Sequence, residues 1–220
     1  MSQPIAGTAA EAYLRKRGIT DLPKSDSLRF HPRCYYRRDT DSPTETWPAL
    51  IAAVTDLGGR ITGVHRTWLD PSGADKAPID TPRRAMGHLL GHGVRFGVAD
   101  DVMAAGEGIE TMLSLRMALP TMPMTAALSA NHLAAILFSS ALRRLYIARD
   151  ADPAGDGAVD RLIGRAGKAG IDAITLSPIL SDFNEDLCRF GIEELRAALR
   201  LLLTPEDLAR FMPSARSPMK

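Results

Sequence analysis

Cysteine is almost missing from this sequence. Cys34 and Cys188 stand far apart and in no paired motif, which excludes a disulfide framework and suits a reducing cytoplasm. Aromatic residues make up only 5% of the 220 positions, so Leu, Ile, Val, Ala and Met must fill the core. No apolar run approaches the roughly 18 residues that span a bilayer. The opening MSQPIAGTAAEAYLRKRG lacks the continuous hydrophobic stretch of a signal peptide. A soluble, cytoplasmic chain with no membrane partner is expected. Net charge is also lacking, at a formal +1, and alone it points to no class of partner. His31-Pro32-Arg33-Cys34 has no second pair of zinc ligands. His88 and His92 are four apart with no Glu between them and with Gly87 and Gly91 alongside, so packing or surface roles are expected.

Apolar residues reach 45%, enough for a normal core. The charges are unevenly distributed. Residues 1–100 hold 14 Lys and Arg against 11 Asp and Glu, whereas residues 101–220 hold 13 against 15. A mildly basic half beside an acidic half would suit a phosphate-tracking surface next to a metal site, although ordinary solvated faces explain so small an asymmetry equally well. Ala6–Arg17 reads as a helix stopped by Gly18, and Asp21–Pro48 as a loop-rich stretch. WPALIAAVTD and GRITGVHRTWLD flank Leu57-Gly58-Gly59 and read as a β-hairpin. From Asp101 onward, strands alternate with helices. Strands are expected at Val102–Ala105, Met124–Leu128, Arg144–Ala148 and Ile174–Leu176. Helices are expected at Ile109–Leu119, Asn131–Phe138, 153–169 and Glu193–Leu203. Such alternation indicates parallel βαβ units, whose functional groups gather at the carboxyl ends of the strands.

That rule singles out the carboxylates. Glu107 follows the first of these strands, Asp150 and Asp152 the third, and Asp182 and Asp186 the fourth. Carboxylates converging on one edge repel each other and raise one another's pKa, and a divalent cation offsets the repulsion. Oxygen ligands suit Mg²⁺ or Mn²⁺. Gly106 and Gly108 would let backbone approach a phosphate, and the helix starting near Ile109 would present its N-terminus to it. Each feature has a plainer explanation. Asp150 or Asp152 can simply cap the helix at Pro153, and Glu107 with Glu110 can be a solvated helix start. The joint placement after successive strands carries the metal-site reading.

GEGIET (106–111), RLYIARDADPAG (144–155) and SDFNEDL (181–187) together resemble the toprim domains of phage- and plasmid-type bacterial DNA primases. The likeness covers roughly residues 101–200, and the upstream segment looks like the subdomain that precedes toprim in such proteins. The resemblance implies an α/β fold: a Rossmann-like toprim domain with a four-stranded, mostly parallel sheet between helices (101–203). A smaller, basic α+β subdomain (1–100) would precede it, and a C-terminal helix and polar tail (204–220) would follow. It further implies Glu107 as catalytic acid/base and Asp150 and Asp152 as ligands of Mg²⁺ or Mn²⁺, with Asp182 or Asp186 supporting a second ion. Lys76, Arg83 and Arg84 would guide template and nucleoside triphosphate, and Arg149 would offset carboxylate repulsion or touch a phosphate. The implied activity is primer synthesis on single-stranded DNA from NTPs, with a separate zinc-binding or helicase module as a partner. A metal-dependent nuclease and a non-catalytic nucleic-acid- or partner-binding module are the competing functions. Tyr146 reads as a core strand residue, and the chain has no room for the strand-passage gate of a topoisomerase.

Overall fold

The computed structural model describes residues 1–22 and 26–213. Helix α1 (Ala9–Lys16) leads into strands β1 (Leu28–Tyr36), β2 (Glu45–Thr55), β3 (Ile61–Trp68), β4 (Arg83–Gly87) and β5 (Gly93–Phe96). The alternating part follows as β6 (Val102–Gly106), α2 (Ile109–Ala118), β7 (Met124–Ala126), α3 (Ala130–Ala135), β8 (Arg144–Ala148), α4 (Pro153–Lys168) and β9 (Asp172–Leu176). Three helices close the chain: α5 (Phe183–Phe190), α6 (Ile192–Leu202) and α7 (Pro205–Phe211).

All nine strands lie in one mixed sheet, in the order β4-β3-β2-β5-β7-β6-β8-β9, with β1 also on β2. The four strands β7, β6, β8 and β9 are mutually parallel, as expected from sequence. The β-rich first half is not packed beside them as a separate layer. It continues their sheet, because β5 pairs antiparallel with both β2 and β7. β1 and β5 share one edge of β2, with β1 opposite residues 45–52 and β5 opposite 54–55.

The parallel strands are buried on both faces, as covered parallel sheets require. Val102, Ala104, Tyr146 and Ala148 face one core, which also takes in Tyr13, Leu50, Val94, Met112, Phe183 and Phe211. Met103, Ala105, Leu145 and Ile147 face a second core under α3 and α4, with Leu133, Val159, Leu162 and Ala166. The first core is built from both halves of the chain. A small third cluster of Tyr36, Ala49, Trp68 and Ala77 lies among β1–β3.

Several elements depart from the sequence reading. The stretch read as loop contains β1, whose Pro32 lies where the register with β2 shifts, between His31 and Cys34; a bulge on an edge strand tolerates the missing N–H. Between the fourth expected strand and the helix expected at Glu193, where no helix was expected, α5 forms with Asp182 as its N-cap. His92, for which a packing or surface role was expected, has Nδ1 2.8 Å from the Thr62 hydroxyl. In the C-terminal tail, α7 ends at Phe211 and residues 214–220 lie outside the described residues. No helix is long and apolar enough to cross a membrane among the described residues.

Candidate active site

The parallel strands end on one edge, and the turns that leave it carry the carboxylates. Glu107 directly follows β6, with Gly108 as the N-cap of α2. Asp150 and Asp152 follow β8, and Asp182 follows β9. The turns are tied to each other. The Leu128 N–H donates to Glu107 O at 2.8 Å, and the Ala151 N–H donates to Ser181 O at 2.8 Å. Leu128 holds φ at +79°, a left-handed conformation costly for a non-glycine residue and found disproportionately at functional sites.

Two glycines are needed here for space. A Cβ on Gly155 would lie 2.4 Å from the Asp150 carbonyl oxygen, and one on Gly106 would lie 2.6 Å from Met112 Sδ and 3.0 Å from Ala148 Cβ. Gly106 is therefore dictated by packing under the turn, whereas Gly108 lines the pocket itself.

That pocket has a volume of about 320 Å³. Glu107 and Asp150 line it from the parallel strands, Ser129 and His132 from the start of α3, and His65, Arg83 and Arg84 from β3 and β4. Glu107 Oε1 and Asp150 Oδ1 are buried and have no hydrogen-bond partner among the described residues. Burial pushes the Glu107 carboxyl up, Asp150 and Asp152 add to this, and the Ala130 N–H offsets part of it, leaving a pKa of about 7. Asp150 is raised to about 6 by burial, then by Asp182 and Asp152, against the pull of Arg83. The four carboxylates Glu107, Asp150, Asp152 and Asp182 thus share one electrostatic environment. Burial lowers His65 to about 4, so it is neutral near pH 7.

Asp152 caps α4, its Oδ1 accepting the Gly155 N–H at 2.7 Å, and Asp182 caps α5, accepting the Glu185 N–H at 2.7 Å. Among the described residues, only one oxygen of each of these carboxylates takes a hydrogen bond. Asp186 is buried, and its two oxygens accept the Ile179 and Leu180 N–H groups at 2.8 Å, which commits it to the loop after β9. Arg149 pairs with Asp156 on α4. Arg83 and Arg84 line the pocket, but Arg84 also donates to the carbonyls of residues 37 and 38 and to the Thr81 hydroxyl. Lys76 is half-buried, its pKa lowered by burial and by Arg83, and it does not line the pocket.

Sequence reasoning missed His65, Leu128, Ser129 and His132. Ser129 carried a readable signal, because it stands where an N-cap is expected and its hydroxyl accepts the His132 N–H. Glu110, read as a possible solvated residue, accepts the Tyr13 hydroxyl at 2.7 Å. Burial would raise its pKa, but the Tyr13 hydrogen bond together with Arg83 and Lys76 outweighs this and holds it below the ordinary range.

Among the described residues, no three His, Cys, Asp or Glu side chains converge as a ready metal-binding group. Mg²⁺ does not need one, since it takes one or two carboxylates and fills its shell with water and substrate phosphate. The unpartnered oxygens of Glu107 and Asp150 fit that demand.

Residues 102–193 match the family model described as "Toprim domain". Over these residues the chain has a toprim-like core. Residues 1–96 match a second model, "Domain of unknown function (DUF7146)". Among solved structures, the chain is similar to the primase fragment of the bacteriophage T7 primase-helicase protein. The TM-score is 0.54 at 12% identity, over 85% of this chain and 69% of that one. It is also similar to the zinc-binding and RNA polymerase domains of Aquifex aeolicus primase, with TM-score 0.59 and 17% identity, over 90% of this chain and 57% of that one. A third similar structure is the RNA polymerase domain of Mycobacterium tuberculosis primase in complex with double-stranded DNA carrying a 6-nucleotide overhang, with TM-score 0.51 and 13% identity, over 89% and 74%. The toprim core and its β-rich extension are thus related in fold to the RNA-polymerase domains of phage and bacterial primases, and the chain spans little more than half the Aquifex chain. No curated protein matches in sequence.

Proposed function

We propose that this protein carries out metal-dependent phosphoryl transfer on nucleic acid, as primase-like synthesis of short primers on single-stranded DNA from NTPs. The observation that carries this reading is the pair of buried, unpartnered carboxylate oxygens of Glu107 and Asp150 in a pocket that also holds Arg83 and Arg84. Asp150 would hold Mg²⁺ or Mn²⁺ together with water and substrate phosphate, with Asp152 or Asp182 as a second carboxylate. The ion would neutralise phosphate charge and hold attacking and leaving oxygens in line. Glu107, with a pKa of about 7 in the metal-free protein, suits a general base for an attacking hydroxyl, since catalytic bases work best near the operating pH. Arg83 would take up charge on the incoming phosphates. Asp186 is left out of the ligand set because its oxygens are already satisfied by backbone N–H groups.

The test is primer synthesis on single-stranded DNA with labelled NTPs and Mg²⁺ or Mn²⁺, comparing wild type with Asp150→Asn. Product from wild type and a drop of at least about 100-fold in the variant are expected for loss of a metal contact. Equal product from both would overturn the assignment. Metal-dependent cleavage of the template without NTPs would move the protein to the nucleases.

A further inference from the structure

A cavity of about 330 Å³ lies on the face of the sheet opposite the first core, and it shares no lining residue with the acidic pocket. Strand register places its floor. Val54 on β2 and Val94 and Phe96 on β5 belong to the first core, and Val54 pairs with Val94. Side chains alternate along a strand, so Thr55 and Arg95 turn to the other face, where both line the cavity. Thr125, the β7 partner of Arg95, shares that face, and its hydroxyl accepts Arg95 Nη1 at 3.3 Å. Ser27 forms one wall, its hydroxyl donating to the Arg95 carbonyl at 2.7 Å. Ser139 contributes from the loop after α3, and Leu57 and Val98 stand exposed at the rim.

Arg95 is a cation without an anion. Asp56 is the carboxylate whose charge acts on it. One Asp56 oxygen accepts the Gly58 and Arg60 N–H groups, and the other pairs with the Arg60 side chain. Arg95 Nε and Nη2 are buried and have no partner among the described residues. These two N–H groups share one edge of the guanidinium, and a carboxylate takes such an edge with two parallel hydrogen bonds. A buried charge without a partner is costly, and arginine cannot relieve the cost by releasing its proton.

The rest of the lining selects the anion. Among the described residues, Arg95 is the single charged side chain on the cavity wall, so it matches one negative charge. A phosphate group near pH 7 carries about −1.5 to −2 and would leave its surplus close to Asp56. A single carboxylate fits the charge, and Leu57 and Val98 offer apolar surface to a short hydrocarbon chain. We infer that this cavity binds a small organic monocarboxylate, held by the Nε–Nη2 edge of Arg95 with its apolar end against Leu57 and Val98. The ligand engages the two nitrogens as the Arg95 side chain turns into the cavity and gives up its long bond to Thr125. Binding here is independent of the chemistry at Glu107 and Asp150.

The test is saturation-transfer NMR of butyrate with the full chain in EDTA, at an ionic strength held constant with chloride. Butyrate binding saturates in wild type, acetate competes more weakly than unlabelled butyrate, and phosphate does not compete. Arg95→Lys keeps the charge, loses the two-bonded edge and weakens binding at least about tenfold. Leu57→Ser, at an exposed position, weakens butyrate more than acetate. Lys168→Ala on α4, which removes one charge elsewhere, changes neither. Circular dichroism checks that each variant is folded. Butyrate binding that does not saturate, wild-type affinity in a folded Arg95→Lys protein, or phosphate competing as well as acetate would each overturn the site. If Arg95→Lys does not fold, an unchanged preference for butyrate over acetate in Leu57→Ser overturns it instead.

Discussion

Without metal at pH 8, an ionised Glu107 sits half-buried beside Asp150 and Asp152. Its folded pKa of about 7 lies above the ordinary 4.5, so the folded state binds protons more readily than the unfolded one. Its contribution is therefore most favourable below the unfolded pKa and is lost as pH rises through the folded pKa. Glu107→Gln removes the ionised form. After a discount for solvent screening of a half-exposed group, it should stabilise the metal-free protein by about 1 kcal/mol at pH 8. The gain should fade towards pH 4.5, and urea titrations at both ends read it; an equal effect at the two pH values would mean that burial and charge crowding are not its cause. Mg²⁺ should remove the same repulsion and raise the Tm of wild type at pH 8, and should do so less in Asp150→Asn. The placement of Glu107 and Asp150 at one edge of the sheet was legible in sequence because βαβ alternation places residues after each strand there. The surroundings of Glu110 were not, because its partner Tyr13 lies 97 positions away. Nothing local announces the left-handed Leu128 either.

At the scale of elements, caps and carboxylate charge can be separated. Asp152 is both the N-cap of α4 and a neighbour that raises Glu107 and Asp150. Asp152→Ala should therefore cost about 1 kcal/mol of stability through the lost cap, whereas Asp152→Ser keeps a capping oxygen and loses only the charge. If Asp152 acts in catalysis, both variants should lose primer synthesis while Ser stays near wild-type stability in thermal melts. An active Asp152→Ser would reduce Asp152 to a cap. Asp186→Ala has the opposite signature. It leaves the Ile179 and Leu180 N–H groups without their acceptor and should cost about 2–3 kcal/mol, while the Mg²⁺-linked rise in Tm is retained. The elements themselves were unevenly legible. The helices at Ile109 and Pro153 could be read from the flanking strands, Gly108 and the Asp152-Pro153 start. β1 was hidden by Pro32, which only a bulge on an edge strand accommodates, and α5 by a run of carboxylates that looks like a ligand loop until Asp182 is seen to cap it.

The whole molecule is organised by one sheet that crosses from the β-rich half into the toprim core, and this is what composition and motif spacing could not show. Strand pairing between β5 and β7 depends on residues 28 to 32 positions apart, and the shared core joins Tyr13 and Leu50 to Met112 and Phe183. Both tryptophans, Trp47 and Trp68, lie on β2 and β3, so their fluorescence reports the first half alone, whereas the helices that dominate far-UV circular dichroism lie mostly in the second. Two loosely docked units would lose the fluorescence signal at a different denaturant concentration from the helical signal. A continuous sheet with a common core should unfold as one cooperative unit, with the two curves superimposed in urea. The same geometry implies that residues 101–213 alone would expose the edge of β7 and part of the first core, an unpaired strand edge prone to association. That fragment should be poorly soluble or aggregated by light scattering. A monomeric fragment with full helical signal would show that the halves are independent, and the arginines of β3 and β4 would then reach the acidic pocket by docking rather than through a shared sheet.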